Sequence, residues 1–455
     1  MADVGYYDIA IVGGGASGSA VLLALSQGVD TARTTIMFDP NRPGPGTPYR
    51  TDQPGCLLMN GPARAMSVVP GDDSHLLRWL QRADGDELIP RKAYGAYLQA
   101  TVERTFALHP NFCYRQRDVV DIEAKHGTYV LTDRSNNSYR AKSVVLALGN
   151  FAPDDSFLPK AVRSYAGYRG DPWRIRPSDV RGSVAIIGSG LTALDIAAQL
   201  DECGFEGTIH AVSRHGRFPA LEDPSVRGRD PASLPLDVRT PLSLLRSTRA
   251  AIREETERGG DWRGVLEAVR GIAPDVWGCW THRERRSFLR HLQSIWTAQR
   301  YRVPPATYDA FRRLAVRKQI HVIAGQLTGA HSRGEKTLRM SISQADRTIQ
   351  LDAQVVINAT GPNLDYTRIR HPLVRNALRR GLIRSDCLRL GLDVTPALQC
   401  IGEDGSIGTG LFTLGPAVRG RYYETTALPE IRAHALSIAR TICRQTLRPK
   451  LEAAS

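Results

Sequence analysis

Two stretches of this chain, IAIVGGGASGSAVLLALS at residues 9–26 and VAIIGSGLTALDIAAQL at 184–200, each run from apolar residues through a glycine-rich turn into a second apolar run. Gly13, Gly15 and Gly18 punctuate the first; Gly188, Gly190 and Ala193 hold the same places in the second. With a strand before and a helix after, this spacing is a dinucleotide fingerprint. The first glycine permits the tight turn, the second lets a pyrophosphate approach the backbone, and the small third residue lets helix and strand pack closely. Gly14, Ala16 and Ser17, and likewise Leu191 and Thr192, lead into helix N-termini whose N–H groups suit phosphate charge. Either turn alone could be a bare strand-to-helix connection. Two of them in one chain imply two dinucleotides.

The strand that follows each fingerprint tells the two sites apart. TTIMFDP ends in Asp39, about 25 residues past the first glycine, where a carboxylate accepts from a ribose diol and suits an adenosine without a 2′-phosphate. The corresponding TIHAVSRHG carries Ser213 and Arg214, a hydroxyl and a guanidinium that suit a 2′-phosphate. The first site therefore fits FAD and the second NADPH, with a plain surface arginine as the alternative reading of Arg214.

Two further β-branched runs, SVVLALGN at 143–150 with Gly149 and QVVINATGPN at 354–363 with Gly361, flank the second fingerprint. They are read as strands that return the chain to the FAD domain before and after an inserted domain. The fold expected is α/β, two nested Rossmann-like dinucleotide-binding domains. The FAD domain is discontinuous, at 1–172 and 352–455, and the NADP domain spans 173–351. Within the latter, about 225–315 breaks the strand-helix rhythm. TPLSLLRSTRAAIREETERGG and RRSFLRHLQSIWTAQRYRVPP read as amphipathic helices, with Pro304-Pro305 ending the second. This helical insertion is expected to overhang the cleft, where Arg300 and Arg302 could meet an anionic substrate or simply be structural.

Composition narrows the classes. The 455 residues are 42% hydrophobic and 23% charged, which is ordinary for a globular chain. No apolar run approaches the roughly 20 residues of a membrane span, and the first strand begins too early for a signal peptide. Seven scattered cysteines, none in a CxxC or CxxxxC pair, argue against a disulfide framework, a zinc site or a redox dithiol, so a cytoplasmic setting is expected. The net charge of +14 is spread among acids, as in AIREETERGGDWRGV, so nucleic acid is not an expected partner, nor is a membrane, nor a metal. The sequence leaves open whether the chain works as a homo-oligomer.

The chain resembles the FAD/NAD(P)-binding flavoproteins related to the flavin-dependent N-hydroxylating monooxygenases. The likeness is carried by LLMNGPARAMSVVPGDDSHLLRWL (57–80), RKAYGAYL (91–98), GSGLTALD, SRHGRFP and LGPAVRGRYYETTALPEIRAHA (414–435). It implies that Asn60, Met66 and Ser67 lie along the flavin and that Gly415 lies near the FAD phosphates. It further implies that Glu424, Thr425 and Thr426 open a final helix facing the flavin pyrimidine, and that the Val120 backbone meets the adenine. One departure is plain: where related Baeyer–Villiger enzymes carry FxGxxxHxxxW, this chain has YAGYRGDPW at 165–173, without the histidine. The activity implied is NADPH-dependent monooxygenation through a flavin C4a-hydroperoxide. The oxygen would go from O₂ to a small soft nucleophile, with an amine or amino acid, such as aspartate, as the first choice. The alternatives are an FAD-dependent NAD(P)H oxidoreductase serving an organic acceptor, and a non-catalytic FAD-binding sensor.

Overall fold

The computed structural model describes residues 5–28 and 33–452; the outermost ends of the expected FAD domain, 1–4 and 453–455, lie outside them. The first unit begins with β1 (Tyr6–Val12), β2 (Thr35–Asp39) and β3 (Phe112–Gln116). It continues through an antiparallel pair, β4 (Val119–Lys125) and β5 (Thr128–Asp133), and comes back along β6 (Ser138–Leu146). A second unit follows with β7 (Tyr168–Arg169), β8 (Val184–Ile187), β9 (Ile209–Ser213) and β10 (Ile320–Ala324). Three antiparallel strands, β11 (Gln326–Ser332), β12 (Leu338–Ser343) and β13 (Thr348–Ala353), lead to β14 (Val355–Asn358). Finally β15 (Gln399–Ile401) and β16 (Ile407–Thr413) rejoin the first sheet.

The two main sheets share one plan. Strand order is β15-β16-β6-β1-β2-β3 in the first and β10-β9-β8-β14-β7 in the second. In both, the fingerprint strand sits centrally between parallel neighbours: Ile9 faces Thr35 and Ser143, and Val184 faces Ile209 and Val355. Such strands are covered on both faces and so read as unbroken apolar runs. The helix Ala16–Ser26 is buried along most of its length because the C-terminal helix Leu428–Glu452 packs on its outer side. In each unit the long excursion lies between the second and third strands, at 40–111 and 214–319. Each excursion ends in a helix, Arg91–Leu108 or Pro305–Val316, that packs on its own fingerprint helix.

Sheet membership moves the expected domain boundaries. Val355–Asn358 pairs with β8 and Tyr168–Arg169 pairs with β14, so both belong to the second unit rather than to the segments ending at 172 and starting at 352. The two look-alike runs are indeed counterparts, but each is the fourth strand of its own unit. Only the first lies in the FAD-side sheet.

The insertion is helical: Pro241–Glu257, Trp262–Cys279, His282–His291 and Gln293–Arg300 precede Pro305–Val316. Capping boxes at Thr240/Ser243 and Thr281/Glu284 start two of these helices. The expected second amphipathic helix is broken at Leu292, and Pro304-Pro305 does not end it. Pro305 instead opens the next helix, where a missing N–H costs nothing. The aromatic face of the insertion is turned to the first unit: the Trp277 indole N–H, on the helix Trp262–Cys279, donates to the Gly420 carbonyl at 2.8 Å. Among the described residues no helix is long and apolar enough to cross a membrane.

A buried ion pair joins the two units. Arg91, at the start of its helix, lies 2.8 Å from Asp195 on the helix Leu191–Glu202, with side chains only 11% and 5% exposed. The Arg91 Nε–H donates to the Leu58 carbonyl, and the guanidinium lies over the Trp173 ring. Burial pushes the Asp195 carboxyl above its ordinary range, and the Arg91 charge draws it back.

Candidate functional site

Gly13 and Gly188 have φ of 104° and 124°, which side-chain-bearing residues rarely adopt. A Cβ on either would run into the carbonyl of the fourth strand's end, Ala147 in one unit and Ala359 in the other. At Gly18 a Cβ would strike the Gly13 carbonyl. These positions are required by the fold itself. The middle glycines differ. A Cβ on Gly15 would meet only Gly46 Cα at 3.5 Å, and one on Gly190 would meet nothing within 4 Å. The protein leaves the space in front of both middle glycines clear, as a pyrophosphate lying against the backbone requires.

In the first unit that space opens into a cavity of about 960 Å³. Gly13, Gly15, Ala16, Ser17, Asp39, Gly149 and Thr426 line it, as does Pro416 next to Gly415. Asp39 is tied to its own loop: its carboxylate accepts from the Gly14 and Asn41 N–H groups, both at 2.8 Å. Burial nevertheless raises its pKa against those two bonds. Gly415 (φ 70°) lies against Ser17, so the C-terminal segment reaches the first helix's N-terminus. Thr425 donates to the Gly415 carbonyl and lies 3.3 Å from His434 Nδ1, which must then carry the hydrogen.

Several expected residues sit elsewhere. Val119, not Val120, lines the cavity, together with Arg117 and Asp118; the Val120 carbonyl is taken by the Asn376 amide at 2.8 Å. Asn60, Met66 and Ser67 do not line it. The Ser67 hydroxyl is buried and engaged with the Asp72 carbonyl, closing a local turn. Glu424 points away from the cavity, to Trp296 and Arg300, and the final helix starts at Leu428 rather than at Glu424. Gly361 stands at the end of β14 with φ 96° and outside the cavity lining. Arg302 is 5% exposed and held by Glu222 and Glu267, so it is a structural ion and not a free anion ligand. Arg300 is 13% exposed and lies 3.6 Å from Glu424, so it too has a carboxylate partner already.

Other lining groups went unseen in the sequence. Asp154 pairs with Arg368 at 2.8 Å and Asp155 with Arg370 at 3.3 Å, tying the loops after β6 and β14 together at the cavity wall. Trp173, from YAGYRGDPW, lines the same cavity beneath Arg91. The glycine-ended strands were the available signal for those loops. Nothing in sequence marks pairs more than 200 residues apart.

The second fingerprint does not line the cavity. Around Gly188, Gly190, Leu191, Thr192 and Ala193, the Ser189 hydroxyl lies 2.8 Å from the Ser213 hydroxyl, which also accepts from the Gly216 N–H. Arg214, His215 and Arg217 are exposed there, and Arg214 has no ion-pair partner among the described residues.

Residues 10–151 match the family described as FAD-NAD(P)-binding. No curated protein sequence matches the chain significantly. Among solved structures it is similar to an FAD-bound cadaverine monooxygenase of desferrioxamine biosynthesis from Erwinia amylovora, at 17% identity and a TM-score of 0.64, over 96% of this chain and 94% of that one. It is also similar to the ornithine N-hydroxylase of Kutzneria sp. 744 with reduced FAD, NADP⁺ and L-ornithine, at 15% identity and 0.60, over 97% and 100%. Thioredoxin reductase of T. acidophilum matches at 11% and 0.53, over 97% and 99%. At these identities the likeness establishes the shared two-dinucleotide fold.

Proposed function

We propose that this chain is an FAD- and NADPH-dependent monooxygenase that oxygenates an amine nitrogen. The observation that carries the reading is the pair of middle glycines with clear space before them, one inside a cavity and one on an open surface. When bound, the two groups would supply a hydride from NADPH, its transfer to FAD and the delivery of those electrons to O₂. The chain's own part is placement. Backbone N–H groups at Gly15, Ala16 and Ser17 would hold the FAD pyrophosphate at a helix N-terminus. Asp39 would accept from the ribose, and Arg117, Asp118 and Val119 would bound the adenosine end. The exposed Arg214, with Arg217 beside it, would take the 2′-phosphate of NADPH.

Two of the structurally similar proteins act on amines, which supports an amine substrate here. An acidic amino acid such as aspartate lacks the anchors expected for it, because Arg302 is held by two glutamates and Arg300 lies beside one. The test is turnover under ¹⁸O₂ with a panel of amines: product bearing label on nitrogen, with NADPH consumption matched to product, supports the reading. Equal turnover without oxygen, using a quinone or dye acceptor and giving no labelled product, would replace it with an NADPH oxidoreductase, which the likeness to thioredoxin reductase also accommodates.

A further inference from the structure

Between the helical insertion and the cavity lies a turn held in an uncommon shape. Tyr423 has φ 52° and ψ −60°, and the Glu424 N–H donates to the Tyr422 carbonyl at 2.6 Å. That is the strained, positive-φ form of the γ-turn. The Tyr423 side chain is 3% exposed and wedged between aromatic groups of the insertion. Trp277 stacks on it at 4.7 Å and Phe288 meets it edge-on at 5.1 Å, while Arg419 lies over its ring. The next residue, Glu424, is also 3% exposed. The Trp296 indole N–H donates to its Oε1 at 2.8 Å, and Arg300 Nε lies 3.6 Å from its Oε2. Trp296 and Arg300 stand one helical turn apart on Gln293–Arg300. Two residues beyond Glu424, Thr426 lines the cavity.

Packing alone does not call for this arrangement. A buried carboxylate gives up its hydration, and an apolar side chain of similar size would fill the same space at least as well. A strained backbone persists only where its surroundings over-determine it, and such strain gathers where a ligand is held. Here the insertion supplies every side chain that grips the carboxylate and two of the three that grip the tyrosine ring.

We propose that Glu424, held by Trp296 and Arg300, is a positioning residue for the flavin. Through it the insertion fixes the segment that carries Thr426 into the cavity wall. The proposal rests on FAD occupying the cavity, and it stands whether the electrons then go to oxygen or to another acceptor.

Glu424→Gln and Trp296→Phe in the full chain test it, each by FAD content, melting temperature, the absorption spectrum of bound flavin, and anaerobic reduction by NADPH. Both variants should retain FAD, shift the flavin absorption band, and slow reduction at least about tenfold, the scale of losing one hydrogen bond to a charged group. Should Glu424→Gln fail to fold, Trp296→Phe, which removes the indole N–H donor together with part of the ring, is read by the same spectrum and reduction rate. Variants that bind FAD fully, with unchanged spectrum and reduction rate and only a lower melting temperature, would overturn the proposal. A native chain that takes up no FAD would overturn it together with the cofactor reading, and is told apart by FAD content alone.

Discussion

The two nucleotide units share a strand order, a fingerprint spacing and the place of their long excursion, yet only the first is roofed over. Its fingerprint looks into a cavity walled by the C-terminal segment and by loops stapled through Asp154–Arg368 and Asp155–Arg370. The second fingerprint faces open space. The loop bonds differ in kind as well. A carboxylate, Asp39, secures the first turn, whereas hydroxyls of Ser189 and Ser213 secure the second and leave cations beside it. One scaffold thus provides a site suited to a group that stays and a site suited to one that comes and goes. The difference lies in what covers the fingerprint, not in the fingerprint.

The sharpest way to break that comparison is to fill the glycines one by one. Gly18→Val drives a side chain into the Gly13 carbonyl and should cost more than about 3 kcal/mol, seen as loss of folded protein or a collapse in melting temperature. Gly15→Val should leave the melting temperature of the cofactor-free chain unchanged while FAD content of the purified protein falls to nearly nothing. Full FAD occupancy in that variant would reduce Gly15 to a turn residue. Its counterpart, Gly190→Val, should keep FAD and the fold but raise the KM for NADPH, separating the two sites in a single experiment.

Arg214→Ala is a milder probe. A hydrogen bond to a charged group contributes about 1.5–3 kcal/mol, so NADPH preference over NADH should fall roughly 10- to 100-fold. Equal use of both nucleotides by the native enzyme would remove the 2′-phosphate assignment.

The smallest effect concerns the roof of the first site. Burial depresses His434 to about 4, against about 6.5 in an unfolded chain. Above pH 6.5 the ring is neutral in both states and its contribution is constant. Below that the unfolded chain takes up a proton that the folded one refuses, so stability declines, by about 2 kcal/mol at pH 5. His434→Asn should flatten this part of a stability–pH curve measured by denaturant titration.

The units were legible in the sequence because a buried parallel strand and a fingerprint are both local patterns, carried by about twenty consecutive residues. Asp39 and Ser213 could be found for the same reason, each standing at the end of the next strand. The missed features depend on partners far along the chain. The sequence leaves Arg302 open between a substrate contact and a structural ion, because Glu222 and Glu267 meet it only through the packing of helices. That Val119 lines the cavity while the Val120 carbonyl meets Asn376 depends on a neighbour 256 residues along the chain. An apolar run such as 355–358 records that a strand is buried, not beside which strand, so the sequence alone does not place it in the second sheet. Pro304-Pro305 reads as a stop in the sequence, although a proline is equally at home in a helix's first turn.

The Arg91–Asp195 pair has a mechanical meaning. Removing one partner by substitution, as in Asp195→Ala, would leave the other charge buried and unpaired, a loss of roughly 3–5 kcal/mol. The pair thus couples the two helices that carry it, one from each unit. Calorimetry should record one cooperative endotherm for the whole chain, and amide exchange in the helices Arg91–Leu108 and Leu191–Glu202 should rise in step. Two endotherms, or exchange that rises in one helix before the other, would instead show two units that open independently.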